Sequence, residues 1–127
     1  MTTTLDILLV EDDVFLQRIQ STIFQRLGHN VFTVGSGQAA IEFLSMYRVD
    51  LVVMDLVMPD MDGFETTDKI RSEGIKIPIF ALSGNDTDED RQSASMVGMD
   101  AYFTKPLSPE IVFEMLVTMK NLVSHGF

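Results

Sequence analysis

The sequence predicts an α/β fold, a doubly wound (βα)5 three-layer sandwich around a five-stranded parallel sheet, and three observations lead there. Five short apolar segments recur along the 127 residues. Stretches of about ten to fifteen residues with apolar spacing near 3.6 separate them. The central apolar runs also lack the alternation of a strand with one wet face, as strands buried on both sides do. Strand and helix alternating in this way leave few arrangements other than a parallel sheet covered by helices on both faces, because crossovers are right-handed. A chain of this length with 46% hydrophobic residues buries one sizeable core, so one domain over residues 1–127 is expected.

Asp6–Val10 reads as the first strand and stops at Glu11-Asp12-Asp13. Leu16, Ile19, Ile23 and Leu27 then repeat at helical spacing, with Gly28 as the stop, so the first helix is expected to bury those four. Val31–Val34 reads as the second strand, and Ala40, Phe43, Leu44 and Tyr47 mark the inner face of the second helix. Leu51–Met54 is the third strand, ending in Asp55, and Ile77–Leu82 the fourth, ending in Ser83. The acidic run Asp86 to Asp90 favours a helix start, with Thr87 and Asp90 spaced like a capping box. Ala101–Phe103 is the fifth strand, running into Lys105-Pro106. Ser108-Pro109 opens a last helix, cap then proline, carrying Ile111, Val112, Met115, Leu116, Met119 and Leu122.

Composition excludes several functions. Without cysteine there is no disulfide framework, thiolate metal site or thiol nucleophile, which suits a reducing cytoplasm. The N-terminus lacks a basic region ahead of its apolar run, and every apolar run falls far short of the roughly 20 residues of a membrane span. A cytoplasmic location without membrane association is therefore expected. Nineteen acids against nine bases give a net charge of −10, which repels nucleic-acid backbones and anionic lipid. The tail Ser124-His125-Gly126-Phe127 is too short to be an output domain, so none is expected. His29 and His125 are expected to be exposed loop and tail residues, and most of the nine methionines to fill the core.

The strand ends carry the chemistry. In a doubly wound sheet, functional groups gather beyond the carboxyl ends of the strands. Two carboxylates from the first strand end beside Asp55 are unfavourable unless a cation intervenes, and Mg²⁺ prefers such hard oxygen ligands. Taken on their own, Glu11, Asp12 and Asp13 read more readily as a cap for the next helix, favouring its positive dipole end. A carboxylate such as Asp55 is able to attack phosphorus in line to form an acyl phosphate when metal and cation balance the charge. Lys105 offers that cation and Ser83 a hydroxyl donor, with Gly84 permitting close approach; read singly, these are a surface lysine and a turn serine. Tyr102, read alone, is a core aromatic of a short strand.

Taken together, Leu8-Leu9-Val10-Glu11-Asp12-Asp13, Asp50-Leu51-Val52-Val53-Met54-Asp55-Leu56-Val57-Met58-Pro59-Asp60-Met61-Asp62-Gly63, Ala81-Leu82-Ser83-Gly84 and Tyr102-Phe103-Thr104-Lys105-Pro106-Leu107 resemble the receiver domain of two-component signalling from end to end. The resemblance implies strand order 2-1-3-4-5 and a phosphoacceptor at Asp55. It implies Mg²⁺, or Mn²⁺, held by Glu11, Asp12, Asp55 and the backbone carbonyl of Val57, with Lys105 and Ser83 contacting the phosphoryl group. It also implies a switch in which the Tyr102 ring moves inward as Ser83 is drawn to the phosphoryl group, and a cis Lys105-Pro106 peptide. A histidine kinase or histidine phosphotransfer protein would supply the phosphoryl group, and a protein target would read the face of the fourth helix, fifth strand and fifth helix. The chain would then be a signalling switch and not an enzyme.

Two positions depart from common receiver patterns, Val57 being apolar and Asn85 uncharged, and both bear on water access and so on phosphoryl lifetime. The main rival is a Mg²⁺-dependent phosphohydrolase with an aspartyl nucleophile. Those carry a second Asp two residues later, where this chain has Val57. A flavodoxin-like cofactor binder would need a phosphate loop where Glu11-Asp12-Asp13 stands.

Overall fold

A computed structural model describes residues 3–124. The elements alternate as expected: β1 (Asp6–Val10), α1 (Val14–Arg26), β2 (Asn30–Val34), α2 (Gly37–Met46), β3 (Leu51–Asp55), α3 (Gly63–Ser72), β4 (Ile79–Ser83), α4 (Asp88–Val97), β5 (Ala101–Thr104) and α5 (Pro109–Ser124). The five strands form one parallel sheet in the order β2-β1-β3-β4-β5. The fourth strand starts at Ile79, two residues later than its apolar run suggests, because Pro78 has no N–H to give a ladder.

Strand parity sorts the core into two layers. Ile7 and Leu9, Leu51 and Val53, and Phe80 and Leu82 pack with Phe24 of α1 and with Val112 and Met115 of α5. Leu8 and Val10, Val52 and Met54, and Ile79 and Ala81 pack with Ala40 and Leu44 of α2, Ile70 of α3 and Ala94 of α4. Every residue of β3 and β4 is buried, which explains their unbroken apolar runs. The last helix buries Val112 and Met115 and half-buries Ile111, Leu116, Met119 and Leu122, as its spacing predicts. Of the methionines, Met54, Met58, Met99 and Met115 are buried, whereas Met46 and Met96 are exposed.

Local signals set the helix ends. Asp13, Ser36, Asp62 and Thr87 each accept a main-chain N–H as N-caps, and Ser108 Oγ accepts from Ile111 N at 3.2 Å ahead of Pro109. Gly28 takes a positive φ just beyond α1. The Lys105-Pro106 peptide is cis.

Three expectations fail. Tyr47 is exposed and not on the inner face of the second helix, because α2 ends at Met46 and Tyr47 caps it in an extended conformation. The first helix buries Gln20 and Phe24, while Ile19 and Leu27 are exposed, so it is rotated from the face that apolar spacing picked. His29 is buried and not a surface loop residue: its Nδ1 accepts the Leu5 N–H at 3.1 Å, tying the start of β1 to the turn after α1. Burial lowers its pKa. His125 lies outside the described residues.

Candidate functional site

The carboxyl ends of β1 and β3 lie side by side, where the strand order reverses. Val10 pairs with Met54, so the next residues, Glu11 and Asp55, are neighbours across the two strands. Both continue the parity of the α1/α5 layer. Glu11, Asp12 and Asp55 each offer a carboxylate oxygen, all within 4.8 Å of one another. Glu11 is buried, Asp55 is 6% exposed and Asp12 is open to solvent.

Lys105 reaches this cluster because Ser83 pairs with Thr104 and the Lys105 N–H donates to the Ser83 carbonyl at 2.7 Å, fixing the residue at the sheet edge. Its Nζ donates to Glu11 Oε1 at 2.9 Å and to Asp55 Oδ1 at 3.2 Å. Burial raises the Asp55 carboxyl to about 6, and the hydrogen bond and charge of Glu11 push the same way against the pull of Lys105. Burial alone would lower the pKa of Lys105, but its hydrogen bond to Glu11 and the charges of Asp55 and Glu11 raise it instead. The ammonium thus holds together two carboxylates that would otherwise repel.

The loop after Asp55 is shaped by close packing. The Gly63 N–H donates to the Leu56 carbonyl at 3.0 Å, and a Cβ on Gly63 would lie 2.3 Å from the Asp55 carbonyl oxygen. Asp60 adopts φ 68°, a left-handed conformation that aspartate tolerates better than most residues. Val57 donates its N–H to Asp55 Oδ1 at 3.4 Å and is 70% exposed, so the residue two places beyond Asp55 is apolar and open to solvent.

Ser83 and Tyr102 continue the opposite parity, on the α2/α3/α4 side. Ser83 is buried and its Oγ accepts the Asn85 N–H at 3.1 Å, while the Tyr102 hydroxyl donates to the Asn85 carbonyl at 2.6 Å. The Arg91 guanidinium stands 4.8 Å above the Tyr102 ring. The main chain of Asn85 therefore links the two side chains. Sequence reasoning missed this link, since a main-chain bridge leaves no residue signature. It also missed Gln17, whose Nε2 donates to the Glu11 carbonyl, and Gln20, whose Nε2 lies 3.4 Å from Glu11 Oε1. A signal for Gln20 exists: it stands between Leu16 and Phe24 at spacings of four, on the inner face of α1.

A family model described as the response regulator receiver domain matches residues 7–117. The chain belongs to the response-regulator receiver family. Among the receivers it resembles, the probable transcriptional regulatory protein TcrX of Mycobacterium tuberculosis is 38% identical over 106 residues, which are 84% of this chain and 45% of TcrX. The chain spans about half or less of the length of the first curated relatives it matches. The chemotaxis protein CheY4 of Vibrio cholerae superposes with a TM-score of 0.85 at 27% identity, over 92% of this chain and 99% of that one. The receiver domain of the sensor histidine kinase PA1611 of Pseudomonas aeruginosa, described with a magnesium ion coordinated in its active-site cleft, gives 0.80 at 32% identity over 90% and 95%. Membership makes this a receiver of two-component signalling. Among the described residues, no helix is long and apolar enough to cross a membrane.

Proposed function

We propose that the chain is a phosphorylation switch whose Asp55 accepts a phosphoryl group from a phosphohistidine on a histidine kinase or histidine phosphotransfer protein. The observation that carries the reading is the convergence of Glu11, Asp12 and Asp55 within 4.8 Å with the Lys105 ammonium bridging two of them.

The residues present fit Mg²⁺, or Mn²⁺. Three carboxylates lie together, two of them buried with a single ammonium between them, and all the side-chain donors are hard oxygens. Glu11, Asp12, Asp55 and the main-chain carbonyl of Val57 would hold the ion, which when bound balances negative charge on the transferring phosphoryl group.

Asp55 supplies the nucleophilic oxygen: an Oδ–P bond forms as the N–P bond of the phosphohistidine breaks, and the imidazole leaves with the bonding pair. Lys105 turns from the carboxylates to a phosphoryl oxygen, and Ser83, whose Oγ keeps its own proton while accepting from Asn85, donates to another. Drawing Ser83 toward the phosphoryl group loosens the Asn85 link and with it the Tyr102 hydroxyl anchor, freeing the ring to move inward and altering the face of α4, β5 and α5 that a protein target reads. Hydrolysis attacks the same phosphorus with water, releasing phosphate and restoring Asp55. Val57 and Asn85 border the route of that water and set the lifetime. The transfer is self-catalysed, and the chain is its reactant.

Incubation with a small phosphodonor and Mg²⁺, followed by intact mass measurement, tests the reading. The expected result is one phosphoryl adduct that needs Mg²⁺ and disappears in Asp55→Asn. An adduct that persists in Asp55→Asn overturns it.

A further inference from the structure

Gln20 places a primary amide where the helix calls for an apolar side chain. It falls between Leu16 and Phe24 on the sheet-facing side of α1 and is only 2% exposed. Its Nε2 lies 3.4 Å from Glu11 Oε1, and its Oε1 is one of two buried side-chain polar atoms without a hydrogen-bond partner among the described residues. The orientation is fixed by charge: turned over, the amide oxygen would face the Glu11 carboxylate. An orphaned buried acceptor is destabilising, and a leucine there would leave none. Fold stability alone does not account for the amide.

The contacts of Glu11 do account for it. Oε1 receives Lys105 Nζ and Gln20 Nε2, Oε2 receives the Asp13 N–H at 3.3 Å, and the Glu11 carbonyl receives Gln17 Nε2. Once Lys105 turns to a phosphoryl oxygen, Glu11 Oε1 loses its charged donor and Gln20 is the side-chain donor left on that atom. A neutral amide suits this task. It orients a carboxylate without adding positive charge that would repel a cation, as a lysine in its place would.

We infer that Gln20 is a positioning residue of the acidic cation site, holding the Glu11 carboxylate in place through the exchange of Lys105 from carboxylate to phosphoryl group. The inference rests on the proposed Mg²⁺ site and goes beyond it by assigning a buried amide on α1 to that site.

Calorimetric titration of the unphosphorylated chain with Mg²⁺, in wild type, Gln20→Leu and Gln20→Met, tests it alongside urea unfolding in chelator. Partners that orient metal ligands typically change affinity by about 10–100-fold, and a single long bond belongs at the low end, so a Kd weakened about 10-fold is expected in both variants. Metal-free stability should stay level or rise, which a residue serving only packing would not show. In a Lys105→Met background, the Gln20→Leu effect on Kd should grow, because Glu11 Oε1 then depends on the amide alone. A Kd within twofold of wild type in both variants overturns the inference, whatever their stability. Failure of the wild-type chain to bind Mg²⁺ at all overturns instead the metal site on which it rests.

Discussion

Gly63 and Asp55 are in main-chain contact: a Cβ on Gly63 would fall 2.3 Å from the Asp55 carbonyl oxygen and 2.9 Å from the Leu56 Cα. Backbone cannot rotate away as a side chain does, so Gly63→Ala must displace the segment that carries Asp55. Overpacking of this kind costs about 1–3 kcal/mol. Urea unfolding should show a loss in that range, and the rate of adduct formation from a small phosphodonor should fall with it.

Asp55 makes the metal-free protein less stable near neutral pH. Its carboxyl is raised from 3.8 to about 6 by burial and by Glu11, so the folded state holds this proton more tightly than the unfolded chain. The contribution of the group is fully present below about pH 4 and is lost as pH rises through about 6. Asp55→Asn, which resembles the neutral form, should therefore be more stable than wild type at pH 7.5 in chelator, and the gap should narrow as the pH is lowered to 4.5. Paired urea titrations at the two pH values check the sign. A gap that widens on acidification contradicts this account.

Lys105 holds Glu11 and Asp55 together at 2.9 and 3.2 Å. Removing one partner of a buried charge cluster leaves the others uncompensated, typically a loss on the order of 3 kcal/mol. Lys105→Met should lose stability of this order in chelator at pH 7.5, and Mg²⁺ should restore more of it than the ion adds to wild type. Thermal unfolding with and without Mg²⁺ measures both.

His29 sets an acid limit on the start of β1. Its Nδ1 accepts the Leu5 N–H, so a proton on that nitrogen would set two donors face to face. Burial lowers its pKa below the ordinary 6.5, so the unfolded chain takes up a proton that the folded one refuses, and stability falls as pH drops below about 6.5. His29→Gln keeps an acceptor without the titration. The stability difference between the variant and wild type should shift in favour of the variant between pH 7.5 and pH 5.5, and the His29 ring protons should titrate late in an NMR series.

Much of the site was legible because its residues end strands. An acid directly after Leu51-Val52-Val53-Met54, and another after Leu8-Leu9-Val10, stand out against buried runs, and the parallel register makes them neighbours. The caps were legible for the same local reason, as at Asp13, Thr87 and Ser108. The inner face of α1 was not. Leu16, Ile19, Ile23 and Leu27 offer one apolar stripe and Leu16, Ile23 and Phe24 with Gln20 another, and helical spacing alone favours the first.

The sequence by itself determined the order of strands and helices, the burial of the central strands, the family and the candidate acceptor, because these depend on spacing along the chain and on residue types at strand ends. Only the tertiary structure decided the rotation of α1, the burial of His29, the Lys105 bridge and the Asn85 link between Ser83 and Tyr102. Those depend on which polar atoms meet across segments far apart in sequence. The buried ring nitrogen of His29 finds its partner there, and in α1 the packing of Phe24 against the sheet and α5 outweighs the apolar stripe that helical spacing favours.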